Sequence, residues 1–201
     1  MHPFEHAIDT PVLTGDYNDW LNDARRYYFQ NLSGRTVLEI ASGDAAISWQ
    51  ILSGQPDKLT MIDLDPNSKT IKENEFILDD VMTWLPNAPR FDVVICLGLL
   101  YHLHSSLHLL EMMVNHCRPQ TLILDNVIAP HPLVFAHESH NVSGSRWVKH
   151  GYKRAPFNLN VPFHVINESL DHMGFILEQT HILRYDWFPK SNHWIAEWRA
   201  K

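Results

Sequence analysis

Cysteine is nearly missing from this chain, with two in 201 residues. Cys96 lies inside an apolar strand-like run and Cys117 closes a helix-like one. No disulfide framework is therefore expected, and the pair fits a reducing, cytoplasmic setting. No hydrophobic run reaches the ~20 residues of a bilayer span, so no membrane partner is expected. The opening residues Met1-His-Pro-Phe-Glu-His6 hold neither the basic nor the apolar region of a secretory leader. Excess positive charge is absent too. A formal net charge of −7 argues against a general polyanion binder and leaves room for a local basic patch. Internal repeats and low-complexity tracts are lacking. What is present is ordinary globular composition, 45% hydrophobic and 19% charged, at a length suited to one domain with a full core.

The stretch from Arg35 to Leu52 organises the rest. Residues 36–40 form a short β-branched and aliphatic run of the kind found in a buried parallel strand. Ala41-Ser-Gly-Asp-Ala45 is a turn of small residues, and Ala45, Ala46, Trp49, Ile51 and Leu52 fit a following helix, stopped by Ser53-Gly54-Gln-Pro56. Strand, small turn and helix bring a ligand against bare backbone N–H groups. Glu39 is an acid where a purely structural strand would carry another aliphatic. Residues 59–66, Leu-Thr-Met-Ile-Asp63-Leu-Asp65-Pro66, read as a second strand ending in acids, with Asp63 the better placed for a ligand. An acid there, about twenty residues past the first turn, is where a doubly wound fold holds a ribose diol; Asp65 suits a helix cap. A short helix is expected over 69–74, a third strand over 75–78, then Asp79-Asp80-Val81. A fourth strand spans 91–98 and runs into Leu99-Leu-Tyr-His-Leu103, with a helix capped near Ser105 and striped by Leu107, Leu110, Met113, Val114 and Cys117. A fifth strand covers 121–128. Residues 161–173 read as a helix ended by Gly174, and 175–183 with 193–198 as a closing hairpin bent at 189–192. Before the first strand, residues 1–15 read as an irregular arm, and a helix from Asp16 carries Trp20, Leu21, Ala24, Tyr27 and Tyr28 on one face.

The order Val37-Leu-Glu-Ile-Ala-Ser-Gly-Asp-Ala45 resembles the first motif of class I S-adenosylmethionine-dependent methyltransferases, with Ala41 and Ala45 standing at its outer glycines. Alanine resists positive φ, so a slightly wider turn is expected. Phe91-Asp-Val-Val-Ile-Cys-Leu-Gly-Leu-Leu-Tyr-His-Leu103 is similar to the fourth motif of that family, nearest the branch containing tRNA wobble-uridine carboxymethyltransferases and small-molecule enzymes. The resemblance implies an α/β fold: a doubly wound, mostly parallel seven-stranded sheet with a C-terminal antiparallel hairpin. It covers residues 33–128 well and the remainder only as an order of elements. The whole chain then reads as a single methyltransferase domain. Within it, 1–32 is an arm and helix, 33–128 the cofactor-binding half, 129–163 a substrate-recognition insertion, and 164–201 the closing helix and hairpin. S-adenosylmethionine is the implied cofactor. Glu39 and the turn Ala41, Ser42, Gly43 and Asp44 are expected at its methionine portion. Asp63 and Leu64 are expected at the ribose, Asp80 and Val81 at the adenine with Asp79 as rival, and Leu97 and Gly98 by the sulfonium. Asp79 and Asp80 read equally well as helix caps.

For the acceptor side, Tyr101 and His102 stand at a strand's carboxyl end, where open α/β sheets place ligands. His102 is the first choice for a catalytic base because imidazole titrates near neutrality; a packed, non-catalytic His102 beside Tyr101 is the alternative. Residues 131–162 form a long connection, so substrate contacts are expected from His137, Arg146, Trp147 and Arg154, together with Tyr28 and Asn126. The basic and aromatic interleaving over 146–154 suits a carboxylate, a phosphate or stacked bases, and equally a solvated charged loop. Asp125-Asn126 looks like the metal-binding pair of catechol-type O-methyltransferases. The further carboxylate those enzymes use is replaced here by Leu97, so no metal is expected. His131, His137, Glu138 and His140 are not at zinc-protease spacing and read as polar loop residues. The expected function is methyl transfer to a small polar metabolite. A tRNA nucleoside is the alternative acceptor, and a non-catalytic cofactor-binding protein the alternative class.

Overall fold

The computed structural model describes residues 12–15, 23, 26–43, 45–65, 68, 71, 74–103, 105–128, 135–137, 158–185 and 193–201. Four parallel neighbours form the sheet centre: β2 (Thr36–Ile40), β3 (Lys58–Asp63), β4 (Glu75–Leu78) and β5 (Val93–Cys96), continued by β6 (Thr121–Val127). β9 (Phe175–Tyr185) and β10 (His193–Ala200) pair antiparallel, and β10 inserts antiparallel to β6. A short strand β1 (Val12–Gly15) runs parallel along β9 and makes the order β1-β9-β10-β6-β5-β2-β3-β4. The expected seven-stranded core and its hairpin are therefore present, with one strand added. Residues 12–15 are a strand and not an irregular arm. Backbone pairing to the open edge of β9 supplies the hydrogen bonds that four residues could not make alone. β7 (Phe135–His137) and β8 (Asn158–Asn160) form a separate antiparallel pair.

Period-two alternation along buried strands splits the core into two layers. Leu38, Ile40, Val94, Cys96, Leu122, Leu124, Trp194, Ala196 and Trp198 face one layer. There they meet α3 (Ser106–Met112) and α4 (Phe163–His172) through Leu109, Leu110, Ile166 and Leu170. Val37, Ile95, Ile123 and Ile195 face the other layer, where Tyr28, Phe29 and Ile51 of α1 (Ala46–Ser53) pack. The helix expected from Asp16 lies mostly outside the described residues; 26–28 are helical. The expected helix over 69–74 also falls largely outside them, and Ile71 and Asn74 are not helical. The hairpin bend at 189–192 is likewise outside. The strand order reverses between β2 and β5, so their carboxyl ends diverge and leave a crevice at the switch point.

Candidate active site

The first wall of the crevice is the turn between β2 and α1. Ala41, Gly43 and Ala45 all take left-handed backbone, with φ of 62°, 54° and 64°. This corrects the expectation of a wider turn: both alanines adopt the glycine conformation. The turn is braced from β3. The Gly43 N–H donates to Asp63 Oδ2 at 2.7 Å, and the Asp65 N–H donates to Asp63 Oδ1 at 2.8 Å. The Ala41 N–H also donates to the Ile62 carbonyl at 2.8 Å. A carboxylate offers about four lone-pair sites, so Asp63 retains acceptor capacity on both oxygens. Ser42 is buried, and its Oγ has no hydrogen-bond partner. Glu39 is buried on the same face as Val37 and accepts a hydrogen bond from Ser48 Oγ of α1. Asp44 lies outside the described residues.

Leu64, half-buried, follows Asp63. The β4 tip carries Asp79, which accepts from the Asp80 N–H at 2.7 Å, and Asp80, which caps the four-residue helix α2 (Val81–Trp84) by accepting from the Met82 N–H at 2.9 Å. The Asp79 N–H donates to the Asp63 carbonyl at 3.1 Å, which ties the β3 and β4 tips together. Asp80 and Val81 remain half-buried, whereas Asp79 is exposed.

The opposite wall begins where β5 ends. Leu97 is buried, and Gly98 turns left-handed at φ 78°. The Gly98 N–H donates to Asp125 Oδ1 of β6 at 2.5 Å. The other oxygen of Asp125 lies 3.7 Å from His193 Nδ1, with side-chain exposures of 4% and 13% respectively. Tyr101 sits on a 3-10 turn, Leu100–His102. Its ring lies edge-on to His193 at 5.4 Å and tilted over His102 at 4.4 Å. Its hydroxyl lies 3.7 Å from where a Cβ on Gly98 would stand. Burial raises the Tyr101 hydroxyl well above the ordinary phenol range, and the neighbouring Asp125 charge and Cys96 add to the rise. His102 is exposed.

Two residues expected at the substrate stand elsewhere. Tyr28 is buried under the sheet, with its hydroxyl 2.6 Å from His181 Nδ1 and donating to the Ile195 carbonyl at 3.0 Å. Those bonds dock its helix on the sheet. Asn126 is fully buried and donates to the Val161 carbonyl at 3.2 Å. Strand alternation turns it into the core layer, away from Asp125. Arg146, Trp147 and Arg154 lie outside the described residues, as do His131, Glu138, His140 and the His137 side chain. Among the described residues no group of three or more His, Cys, Asp or Glu side chains is arranged to hold a metal. His193 was not singled out by the sequence, and Asp125 only as half of a metal pair. The available signal was topological: the strand that inserts antiparallel starts at the ligand edge, so its first side chain belongs to the site.

Fold and crevice together define a doubly wound α/β protein with an acid-edged site at its switch point. The model of the "methyltransferase domain" family matches residues 14–197, and the chain belongs to that family: it is an S-adenosylmethionine-dependent methyltransferase domain. It is 29% identical over 139 residues to a tRNA U34 carboxymethyltransferase of Pseudoalteromonas translucida, an alignment covering 63% of this chain and 42% of that protein. A tRNA U34 carboxymethyltransferase of Pseudoalteromonas atlantica is 27% identical over 138 residues with the same coverage, so the matched stretch spans less than half of these relatives. Among solved structures, magnesium protoporphyrin IX methyltransferase from Synechocystis with bound S-adenosylmethionine superposes with a TM-score of 0.64 at 14% identity, covering 92% of this chain and 80% of that one. The Burkholderia thailandensis 1,6-didemethyltoxoflavin-N1-methyltransferase superposes at 0.65 and 12% identity, covering 90% and 78%. At these identities the superpositions speak for the fold alone. Among the described residues no helix is long and apolar enough to cross a membrane.

Proposed function

We propose that the chain binds S-adenosylmethionine in this crevice and methylates a small polar metabolite. The observation carrying the reading is Asp63, buried yet with acceptor capacity left, bonded to the Gly43 N–H of the facing turn. The unpartnered Ser42 Oγ and the left-handed turn beside it fit the same ligand. A buried hydroxyl without a partner costs about 1–3 kcal/mol until something bonds it. In this assignment Asp63 and Leu64 hold the ribose. Ala41, Ser42, Gly43 and Asp44, with Glu39 behind them, hold the methionine portion, and Asp80 and Val81 flank the adenine. Leu97 and Gly98 line the space beside the sulfonium. Tyr101 and His102 edge the acceptor side, and residues 129–163, through His137, Arg146, Trp147 and Arg154, recognise the acceptor.

When bound, S-adenosylmethionine supplies a methyl group activated by its positive sulfur. Displacement there is in-line and needs little covalent help, so the chain's share is orientation, worth several kcal/mol (~7–11 at the limit for well-aligned groups). Buried Leu97 excludes water, while the bare backbone at Gly98 leaves room for the acceptor's approach. An RNA acceptor is the second reading, favoured by the names of the curated relatives.

Calorimetry on wild type and Asp63→Asn tests the cofactor site. Two charge-assisted bonds at ~1.5–3 kcal/mol each predict at least tenfold weaker binding; unchanged affinity removes the assignment. Incubation with methyl-labelled cofactor, a metabolite extract and total RNA then separates the acceptors. Label in a small molecule is the expected result, label in RNA selects the second reading, and label in neither refutes transfer.

A further inference from the structure

The acceptor side holds a constellation whose parts come from two strands and the turn that follows β5. Asp125 on β6 reaches in two directions, to the Gly98 N–H at 2.5 Å and toward His193 Nδ1 of β10 at 3.7 Å. Tyr101 closes the third side, its ring perpendicular to His193 and its hydroxyl over Gly98. One carboxylate thus anchors the floor beside the sulfonium space and the ring that borders it. The titratable groups facing His193 from the described residues are Asp125 on β6 and Tyr101 on the 3-10 turn, with His102 and Cys96 beyond Tyr101. His102 is exposed, whereas the His193 side chain is sheltered.

We infer that His193, oriented by Asp125, is the proton acceptor of the methyl transfer, and that the acceptor atom therefore carries a proton, as in a hydroxyl or an N–H group and not a tertiary amine or thioether. The acceptor's lone pair forms the new bond to carbon as the carbon–sulfur bond breaks and its electron pair returns to sulfur. The acceptor's proton passes to Nε2 of His193. The positive charge lost at sulfur thus reappears on an imidazolium whose other nitrogen, Nδ1, faces the Asp125 carboxylate. A carboxylate behind an imidazole fixes its tautomer and stabilises its charged form. The 3.7 Å separation is long for a hydrogen bond, as base–orienter pairs are before substrate closes the site. Tyr101 packs edge-on against the His193 ring at 5.4 Å.

This role presupposes the methyl-transfer reading, so the test separates the two. Wild type, His193→Gln and Asp125→Asn are compared by calorimetry with S-adenosylmethionine. Label transfer into the metabolite extract by all three is followed from about pH 6 to 9.5. Expected are unchanged cofactor affinity in His193→Gln and a loss of transfer of about a hundredfold near neutrality. That loss should shrink as pH rises and the acceptor ionises by itself. Asp125→Asn should also cut transfer near neutrality with recovery at high pH, a pH profile that a purely packing role would not produce. Transfer by His193→Gln at the wild-type rate with the same pH profile overturns the proposal. A loss in Asp125→Asn that is independent of pH also overturns it, as does a wild type that binds cofactor yet labels nothing. A wild type that fails to bind cofactor overturns the methyl-transfer reading itself, and the base with it.

Discussion

Replacing Ala41 by glycine should stabilise the protein, although it deletes a methyl group. Ala41 sits at φ 62°, where an L-residue's Cβ crowds the following carbonyl at a cost of roughly 1–2 kcal/mol. Glycine removes that strain and gives back about 0.5–1 kcal/mol through the extra freedom of the unfolded chain. The methyl of Ala41 is only half-buried, so its loss takes about half of the ~0.8 kcal/mol assigned to a buried methylene. The balance is a gain of a few tenths of a kcal/mol, or a rise of about 1–2 °C at ~2–4 °C per kcal/mol for this chain length. Ala45 provides the contrast. Its φ is nearly the same, 64°, but it is 1% exposed, so the full methyl loss brings Ala45→Gly to no gain or a slight loss. Urea unfolding of wild type and both variants measures the difference through the midpoint at constant m. If Ala45→Gly is stabilised more than Ala41→Gly, or if Ala41→Gly falls below wild type, the strain argument is wrong.

Gly54 ends α1 for a steric reason: a Cβ there would stand 2.0 Å from the Phe29 carbonyl oxygen. Because that oxygen is backbone and cannot swing aside, Gly54→Ala should cost at least the ~1–3 kcal/mol of core overpacking; a melting temperature within a degree of wild type refutes this. Burial against Tyr28 holds the His181 imidazole below its ordinary value of about 6.5, with the charge of Asp23 opposing. Below about pH 6.5 the unfolded chain binds this proton and the folded one resists it, so the stability difference between wild type and His181→Gln should shift against wild type as pH falls from about 7.5 to 5.5. A difference independent of pH in urea midpoints would show that the histidine titrates freely in the fold.

The central strands were readable because nothing competes with their pattern. The 75–78 strand has the same bounds in sequence and structure, and β2, β3 and β6 begin or end within a residue of expectation. Runs of Val, Ile and Leu between turn residues leave a parallel strand as the only element short enough to fit. β1 escaped notice because four residues carry no period and owe their conformation to the edge they pair with. Tyr28 and Asn126 misled for one shared reason. A polar group next to a ligand edge looks alike in sequence whether it faces the ligand or satisfies a buried carbonyl, and only the strand's alternation or the helix's docking decides.

The turn at 41–45 shows the limit of reading residue types one at a time. Substituted glycines suggested a changed loop, yet Ala41, Gly43 and Ala45 keep left-handed φ at every second residue. Asp63 holds the middle of that pattern through the Gly43 N–H, and the Ile62 carbonyl holds its start through the Ala41 N–H. Two hydrogen bonds from β3, each worth about 1 kcal/mol or more when one partner is a carboxylate, are enough to hold two alanines in a conformation that costs a similar amount. The bonds that hold the turn come from the strand whose acid would meet the ribose. Turn geometry and ligand binding are then coupled through one carboxylate. Loosening Asp63 should therefore weaken the methionine end of the site together with the ribose end.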